Sequence, residues 1–287
     1  MVEPKRNMGA SVRARLLNLS KQRGQPFDLL LTRYAIERLL YRLSTTKHRE
    51  RFTLKGAMLM TTWFDTGFRP TRDLDLLGSG DPEPEKILAV FREICAVAGD
   101  DGVTFDVNAL KIERNREELE YGGLRIKTHA TIDGARVPVV IDIGFGDATE
   151  PGIKEIDYPV LLDFPAPKLR SYQPETVIAE KFEAIVKLGQ ANSRMKDFYD
   201  IWMLSREYEF KGDALARAIA ATFARRKTDI PTQPPVGLTK AFADDPAKQQ
   251  QWKSFADTIG TELPPLNEII EELAAFLMPR AALAAAS

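Results

Sequence analysis

The chain holds a single cysteine, Cys95, and two histidines, His48 and His129, far apart in sequence. One cysteine excludes an intramolecular disulfide framework and any multi-cysteine zinc site. Lying in "AVFREICAVAG", it reads as a small buried hydrophobe on a helix. Two distant histidines argue against a histidine-rich metal site. An excess of one charge is also missing: 40 Lys and Arg against 41 Asp and Glu leave a formal net charge of −1. Any basic surface for a polyanion must therefore be local. No run approaches the roughly 20 apolar residues of a membrane span. The basic N-terminus "MVEPKRNMGASVRARLL" has no apolar core of signal-peptide length. The expected location is the cytoplasm, with no membrane partner. What the chain does have is a 44% hydrophobic and 28% charged composition over 287 residues. That is apolar material for one large domain or two ordinary ones.

The periodicity changes twice along the chain. Residues about 8–50 show apolar positions at helical spacing, broken by "RGQP". A short strand is predicted at 52–55, a helix from Gly56 to about Phe64, a turn through "DTGFRP", a strand at "RDLDLLG" and a capped helix in "DPEPEKILAVFREICAVAG". From about 103 to 163 the segments "VTFDVNALKIERN", "GLRIKTHATID", "ARVPVVIDIGFG" and "YPVLLDF" read as strands, separated by "REELEYGG", "DG" and "GDATEPG". "TIDGARV" reads as a tight hairpin, because Asp-Gly suits a type I′ turn. Beyond "FPAPKLRSYQPE" the chain turns helical: "ETVIAEKFEAIVKLG" to Gly189, "SRMKDFYDIWMLSREY", then about 212–227, 246–260 and 266–278, with "TDIPTQPPVGL" a linker and an alanine-rich tail expected to fray. The predicted class is α+β: a mixed sheet flanked by helices, followed by a helical C-terminal domain. The expected organisation is an N-terminal helical segment at 1–50, the sheet-bearing core at 51–168 and the helical domain at 169–287.

"FRPTRDLDLLG" places Asp73 and Asp75 one position apart, so a strand projects both to one face. Side-by-side carboxylates repel and are costly to desolvate, so arginines or a divalent cation must offset them. D-x-D alone also fits a solvated strand face paired with arginine. Upstream, "KGA" brings Lys55, Gly56 and Ala57 to a helix start. A glycine there lets backbone N–H groups approach phosphate oxygens, and Lys55 adds a point charge. Asp142 interrupts the apolar strand "VPVVIDIGFGD" and needs a partner or a cation, unless it ends the strand and caps a turn. Facing Asp73 and Asp75 it would complete an oxygen site suited to magnesium; Asp147 reads as a loop residue. Asp197 and Asp200 lie three apart on one helical face, among Met195, Phe198, Tyr199, Ile201 and Trp202. Such charges also read as a solvated face with intrahelical pairs, but these apolar neighbours suggest a helix packed on most sides, with its polar groups turned toward something specific.

"FTLKGAMLMTTWFDTGFRPTRDLDLLG", followed by "YQPETVIAEKFEAIVKLGQANSRMKDFYDIWML", resembles the AbiEii-type nucleotidyltransferases. These are toxins of abortive-infection toxin–antitoxin systems, within the DNA polymerase β-like nucleotidyltransferase superfamily. The resemblance covers about 50–205. It implies that Asp73 and Asp75 are the metal-binding pair, that Lys181 contacts the triphosphate and that Asp197 is the essential aspartate of the last motif. The superfamily's glycine-serine motif is represented by Gly56-Ala57, which lacks the hydroxyl. Asp142 as third metal carboxylate comes from the strand pattern alone.

The resemblance implies a nucleoside triphosphate substrate, two Mg²⁺ ions and an acceptor hydroxyl, with a cognate antitoxin as a possible partner. Lys55, Gly56, Ala57, Lys181 and Arg72 are the candidate nucleotide contacts. Arg72 directly precedes Asp73, so a strand turns it to the opposite face, where it would brace the site. Some family members resemble transferases that add nucleotides to the 3′ end of tRNA, and "SVRARLLNLSKQR" or "ARRK" at 224–227 could meet RNA phosphates; each also reads as a solvated face. The alternatives are a transferase acting on a protein or small molecule, and a non-catalytic interaction protein on the same fold.

Overall fold

The structure, a computed structural model, describes residues 7–64, 69–114, 123–210, 213–260 and 262–286. The chain divides into two compact units: residues 1–146 with 155–171, and residues 147–154 with 172–287. The helices at the N-terminus thus belong to the same unit as the sheet.

In chain order the first unit runs α1 (Met8–Arg23), α2 (Phe27–Thr45), β1 (Phe52–Lys55), α3 (Gly56–Met60), β2 (Asp73–Gly78), α4 (Pro84–Ala96), β3 (Thr104–Phe105), β4 (Lys111–Arg114), β5 (Leu124–Ile132) and β6 (Ala135–Phe145). β7 (Lys154–Asp157) and β8 (Lys168–Ser171) follow. The sheet order is β3-β5-β6-β2-β1-β8-β7, with β4 also on β5. β2 and β6 run parallel, as do β1 and β8, while β1/β2 and β5/β6 are antiparallel. The mixed α+β architecture read from the sequence is the one found.

One face of the sheet is apolar. Leu74 and Leu76, Ile126, and Val139, Ile141 and Ile143 are buried at alternate positions, as the two-residue period requires. α2 packs on β6 and is more deeply embedded than its amphipathic pattern suggests, for Glu37, Arg38 and Arg42 are buried with its leucines. Arg42 is fully paired: it donates to both carboxylate oxygens of Asp101 (2.8 and 3.0 Å) and to the carbonyls of Val97 and Val103. Cys95 is buried on α4, and burial pushes its thiol up to about 12. The Asp133-Gly134 turn has both residues at positive φ (46° and 77°), as a type I′ turn needs.

Three local expectations are corrected. "YPVLLDF" is not a strand. β7 ends at Asp157, and the following segment is held to α2, where the Leu161 N–H donates to Glu37 and Arg38 donates to the Pro165 carbonyl. The neighbour of β1 is instead β8, inside the stretch read as a connection. "VTFDVNALKIERN" is broken in two, because the Asp106 carboxylate accepts the N–H groups of Asn108 and Ala109 and forces a turn. The turn at 65–70 and the loop at 116–123 fall almost wholly outside the described residues.

The second unit carries α5 (Pro174–Leu188), α6 (Met195–Glu207), α7 (Ala214–Arg226), α8 (Lys240–Ala243), α9 (Pro246–Ile259) and α10 (Leu266–Ala285). Its core stacks Phe182 against Phe223 and Phe198 against Phe242, with Tyr199, Trp252 and Phe255 beside them. The third correction lies here. α10 passes through Pro279 and includes the alanine-rich tail, whose Ala281 and Ala284 are buried. A proline removes one backbone bond, whereas alanine has the best helix propensity and the buried face holds the last turns in place. Among the described residues no helix is long and apolar enough to cross a membrane.

Candidate active site

The polar face of the sheet in the first unit gathers the predicted carboxylates by register. Lys55 of β1 is opposite Asp75 of β2, Asp75 is beside Asp142 of β6, and Asp142 is opposite Arg125 of β5. Cross-strand partners share a face, so four strands present one row with signs plus, minus, minus, plus. Lys55 and Asp142 are buried and Asp75 is half-buried. Asp73 stands two residues before Asp75 on the same face and is exposed, beside Val140. Adjacent carboxylates out of full solvent repel, and a cation stands at each end of the row to offset that.

Arg125 fixes Asp142 firmly, donating from Nε to Oδ1 (2.7 Å) and from Nη2 to Oδ2 (2.8 Å). This bidentate pairing is the strong, directional kind. Each carboxylate oxygen retains accepting capacity beyond it. Arg125 was missed by sequence reasoning. It sits at an outward position of "GLRIKTHATID", but only the β5/β6 register shows that it faces Asp142.

Gly56 explains the "KGA" turn. It lies at φ +69°, and an added Cβ would come within 2.0 Å of the Asp75 Oδ2. The backbone at the start of α3 and the Asp75 carboxylate therefore occupy each other's van der Waals boundary. No side chain other than hydrogen fits. Ala57 is buried on α3. Arg72 does not join the row: it donates to Asp28 of α2 at 2.6 Å, and both side chains are largely exposed. Among the described residues no group of three or more His, Cys, Asp or Glu side chains converges to hold a metal ion. Magnesium commonly takes one or two carboxylates and completes its shell with water and substrate phosphate, a demand that Asp73 and Asp75 fit.

The second unit holds another polar cluster. Lys181 of α5 places Nζ 2.6 Å from Asp197 Oδ1 and 2.7 Å from Asp200 Oδ2, both carboxylates having 0% exposure. Arg194 Nε is 2.9 Å from Asp197 Oδ2. Burial pushes the Asp197 carboxyl up, but Lys181 and Arg194 overcome that and hold it below the usual range. Asp197 thus holds the Lys181 ammonium directly. Asp200 shares the lysine equally; its three-residue spacing from Asp197 put the two on one helical face, but the shared lysine was not read from it.

A third cluster involves the "ARRK" run. Arg226 is not a solvated cation. It is largely buried, 2.9 Å from Glu183, 3.2 Å from Asp147 and 3.6 Å from Glu180. Those carboxylates, led by Glu180, overcome burial and hold the guanidinium in its charged form. Asp147 therefore fastens the chain after β6 to this unit's helices.

A mixed sheet bearing a D-x-D pair beside a third strand carboxylate, in a chain that also buries a Lys–Asp–Asp cluster between helices, defines a nucleotidyltransferase-like protein. Residues 38–278 match the family described as nucleotidyl transferase AbiEii toxin, type IV toxin–antitoxin system. The chain belongs to this family of nucleotidyltransferase toxins. Two solved structures from Helicobacter pylori are similar. JHP933 has 17% identity and a TM-score of 0.49 over 90% of this chain and 92% of its own. A protein assigned provisionally as a nucleotidyltransferase has 17% identity and a TM-score of 0.48 over 90% and 94%. No curated protein sequence matches the chain.

Proposed function

We propose that this chain transfers a nucleoside monophosphate from a nucleoside triphosphate to an acceptor hydroxyl, the 3′ end of tRNA, as the toxin of a toxin–antitoxin pair that also supplies a cognate antitoxin. The observation that carries the transferase reading is the register row: Asp75 stands beside Asp142, flanked by Lys55, with the Gly56 backbone against the Asp75 carboxylate.

The reaction joins the acceptor oxygen to the α-phosphorus and breaks the α–β bridge, so pyrophosphate leaves and the hydroxyl proton must be taken up. Phosphoryl-type transfer asks the protein chiefly for positioning and charge neutralisation. Asp73 and Asp75 would hold Mg²⁺, which when bound neutralises phosphate charge and lowers the cost of forming the attacking oxygen. Asp142, fixed by Arg125, is the carboxylate available to the acceptor proton. Lys55 and the backbone at Gly56 and Ala57 would meet phosphate oxygens, and Lys181, oriented by Asp197 and Asp200, would contact the triphosphate. Arg72, tied to Asp28, braces the start of β2 in this reading.

The test is incubation of the protein with total tRNA, Mg²⁺ and each labelled nucleoside triphosphate in turn, beside Asp75→Ala. Label entering RNA with the native chain and not with the variant is the expected result and names the nucleotide. No label with any nucleotide would refute the tRNA acceptor and direct the search to protein or small-molecule acceptors. Label in both would refute the role of Asp75.

A further inference from the structure

Lys248, in the first turn of α9, is an anomaly of the second unit. The residue is 6% exposed, yet among the described residues its ammonium meets no carboxylate. Its contacts are the backbone carbonyl of Asn192 at 2.8 Å and the ring of Phe242 at 5.1 Å from Nζ to the centroid. Lysine is rarely so buried without an anion, and taking an ammonium out of water is costly. A carbonyl and an aromatic face offset only part of that cost. A methionine would fill the volume without it. What the lysine adds is a fixed position for one peptide group.

That peptide group begins a continuous chain of contacts. Asn192 is fully buried, and its side-chain Oδ1 accepts the Arg194 N–H at 2.8 Å. Arg194 Nε lies 2.9 Å from Asp197 Oδ2, and Asp197 Oδ1 is 2.6 Å from Lys181 Nζ. The loop joining α5 to α6 is clamped to α9 at a second point, because Gln190 donates to Asp245 at 2.8 Å. Asp245 is the residue that caps α9 and accepts the backbone N–H groups of Ala247 and Lys248. The connection between the two motif-bearing helices is thus seated on the first turn of an element some fifty residues further along the chain.

We infer that Lys248 is a positioning residue for the Lys181–Asp197–Asp200 cluster, acting through the Asn192 carbonyl and Arg194. The functional half rests on the reading of Lys181 as a triphosphate contact. Lys248 touches neither nucleotide nor acceptor. It fixes where Arg194 sits, and Arg194 and Lys181 each hold one oxygen of Asp197, so together they set its orientation. When Arg194 is released, the carboxylate turns and Lys181 turns with it.

The experiment uses the full chain, with Lys248→Met, Lys248→Arg and Asp75→Asn. Binding of each of the four ribonucleoside triphosphates with Mg²⁺ is measured without acceptor, beside melting temperature and NMR titration of the Asp197 carboxyl. Groups that orient a ligand from behind typically carry about 10–100-fold in affinity, so Lys248→Met is expected to weaken nucleotide binding at least about tenfold. Its melting temperature should not fall, and its Asp197 should titrate higher than in the native chain, toward the ordinary range. Lys248→Arg, which keeps a donor for the carbonyl, should recover most of the affinity and keep Asp197 low, and it carries the test if the methionine variant fails to fold. Native affinity and an unmoved Asp197 in Lys248→Met would overturn the inference while leaving the transferase reading intact. Binding that is absent in the native chain, or indifferent to Asp75→Asn, refutes that reading instead; the Asp197 titration then decides the positioning role by itself.

Discussion

Replacing Gly56 by alanine sets two costs against each other, and a second glycine separates them. At Gly56 a Cβ would stand 2.0 Å from Asp75 Oδ2 and 2.6 Å from its Cβ and Cγ. Real Cβ contacts do not fall under 3.0 Å, so Asp75 or the backbone must retreat by 3.0 − 2.0, at least 1.0 Å. A displacement of about 1 Å in a reacting constellation costs on the order of 10²-fold in rate. The residue also lies at φ +69°, where a non-glycine residue pays about 1–2 kcal/mol. For a unit of this size that is a fall of about 2–8 °C in melting temperature, at about 2–4 °C per kcal/mol. Gly134, in the β5–β6 hairpin, lies at φ +77° with nothing within 4 Å of an added Cβ. Gly134→Ala should therefore show the same kind of melting shift with transfer unimpaired, whereas Gly56→Ala should also lose about 10²-fold in transfer. The assay is labelled-nucleotide incorporation at matched folded fraction, with thermal melts alongside. Equal loss of activity in both variants, or full activity in Gly56→Ala, would show that the Asp75 carboxylate is not held by the Gly56 backbone.

Arg226→Met should destabilise the second unit by about 3–5 kcal/mol, since it leaves Asp147, Glu180 and Glu183 facing one another without their cation. Chemical denaturation at two pH values checks this, and the deficit should narrow as acid relieves the repulsion. Glu37 is pushed up to about 7, chiefly by burial against the opposing pull of Arg38. Because its folded value is raised, the stability it contributes is complete below its unfolded value and is lost as pH rises through about 7. Glu37→Gln keeps an acceptor for the Leu161 N–H, so its denaturation free energy between pH 4 and 8 should be flatter than the native chain's by about 3 kcal/mol; parallel curves would refute the assignment. Ala57→Ser restores a hydroxyl at a buried position of α3, and steady-state kinetics should show a lower KM for the nucleoside triphosphate with little change in kcat; an unchanged or raised KM would place that phosphate contact elsewhere.

Much of the site was legible because it rests on local periodicity. Asp73 and Asp75 had to share a face once "RDLDLLG" was a strand, and Asp197 and Asp200 had to share a stripe once "KDFYDIW" was a helix. Both elements formed, and the Asp-Gly hairpin and the burial of Cys95 followed from equally local rules. Where a local signal was faint, the reading failed. "YPVLLDF" has strand composition but is drawn off the sheet by Glu37 and Arg38, and the alanine-rich tail stays helical because its small residues are buried. Register is another matter, since it is decided by which strands pair. No spacing in the sequence connects Arg125 to Asp142, or Lys55 to Asp75, until β1, β2, β6 and β5 lie side by side. The same is true of Arg226, whose three carboxylates come from a loop and a distant helix, and of Lys248, which reaches a carbonyl 56 positions earlier in the chain. The sequence by itself determined which carboxylates share a face, because side-chain direction repeats every two residues in a strand and every three or four in a helix. Tertiary structure alone decided which cations those carboxylates meet, because an ion pair requires contact, and contact between distant segments exists only once the chain has folded.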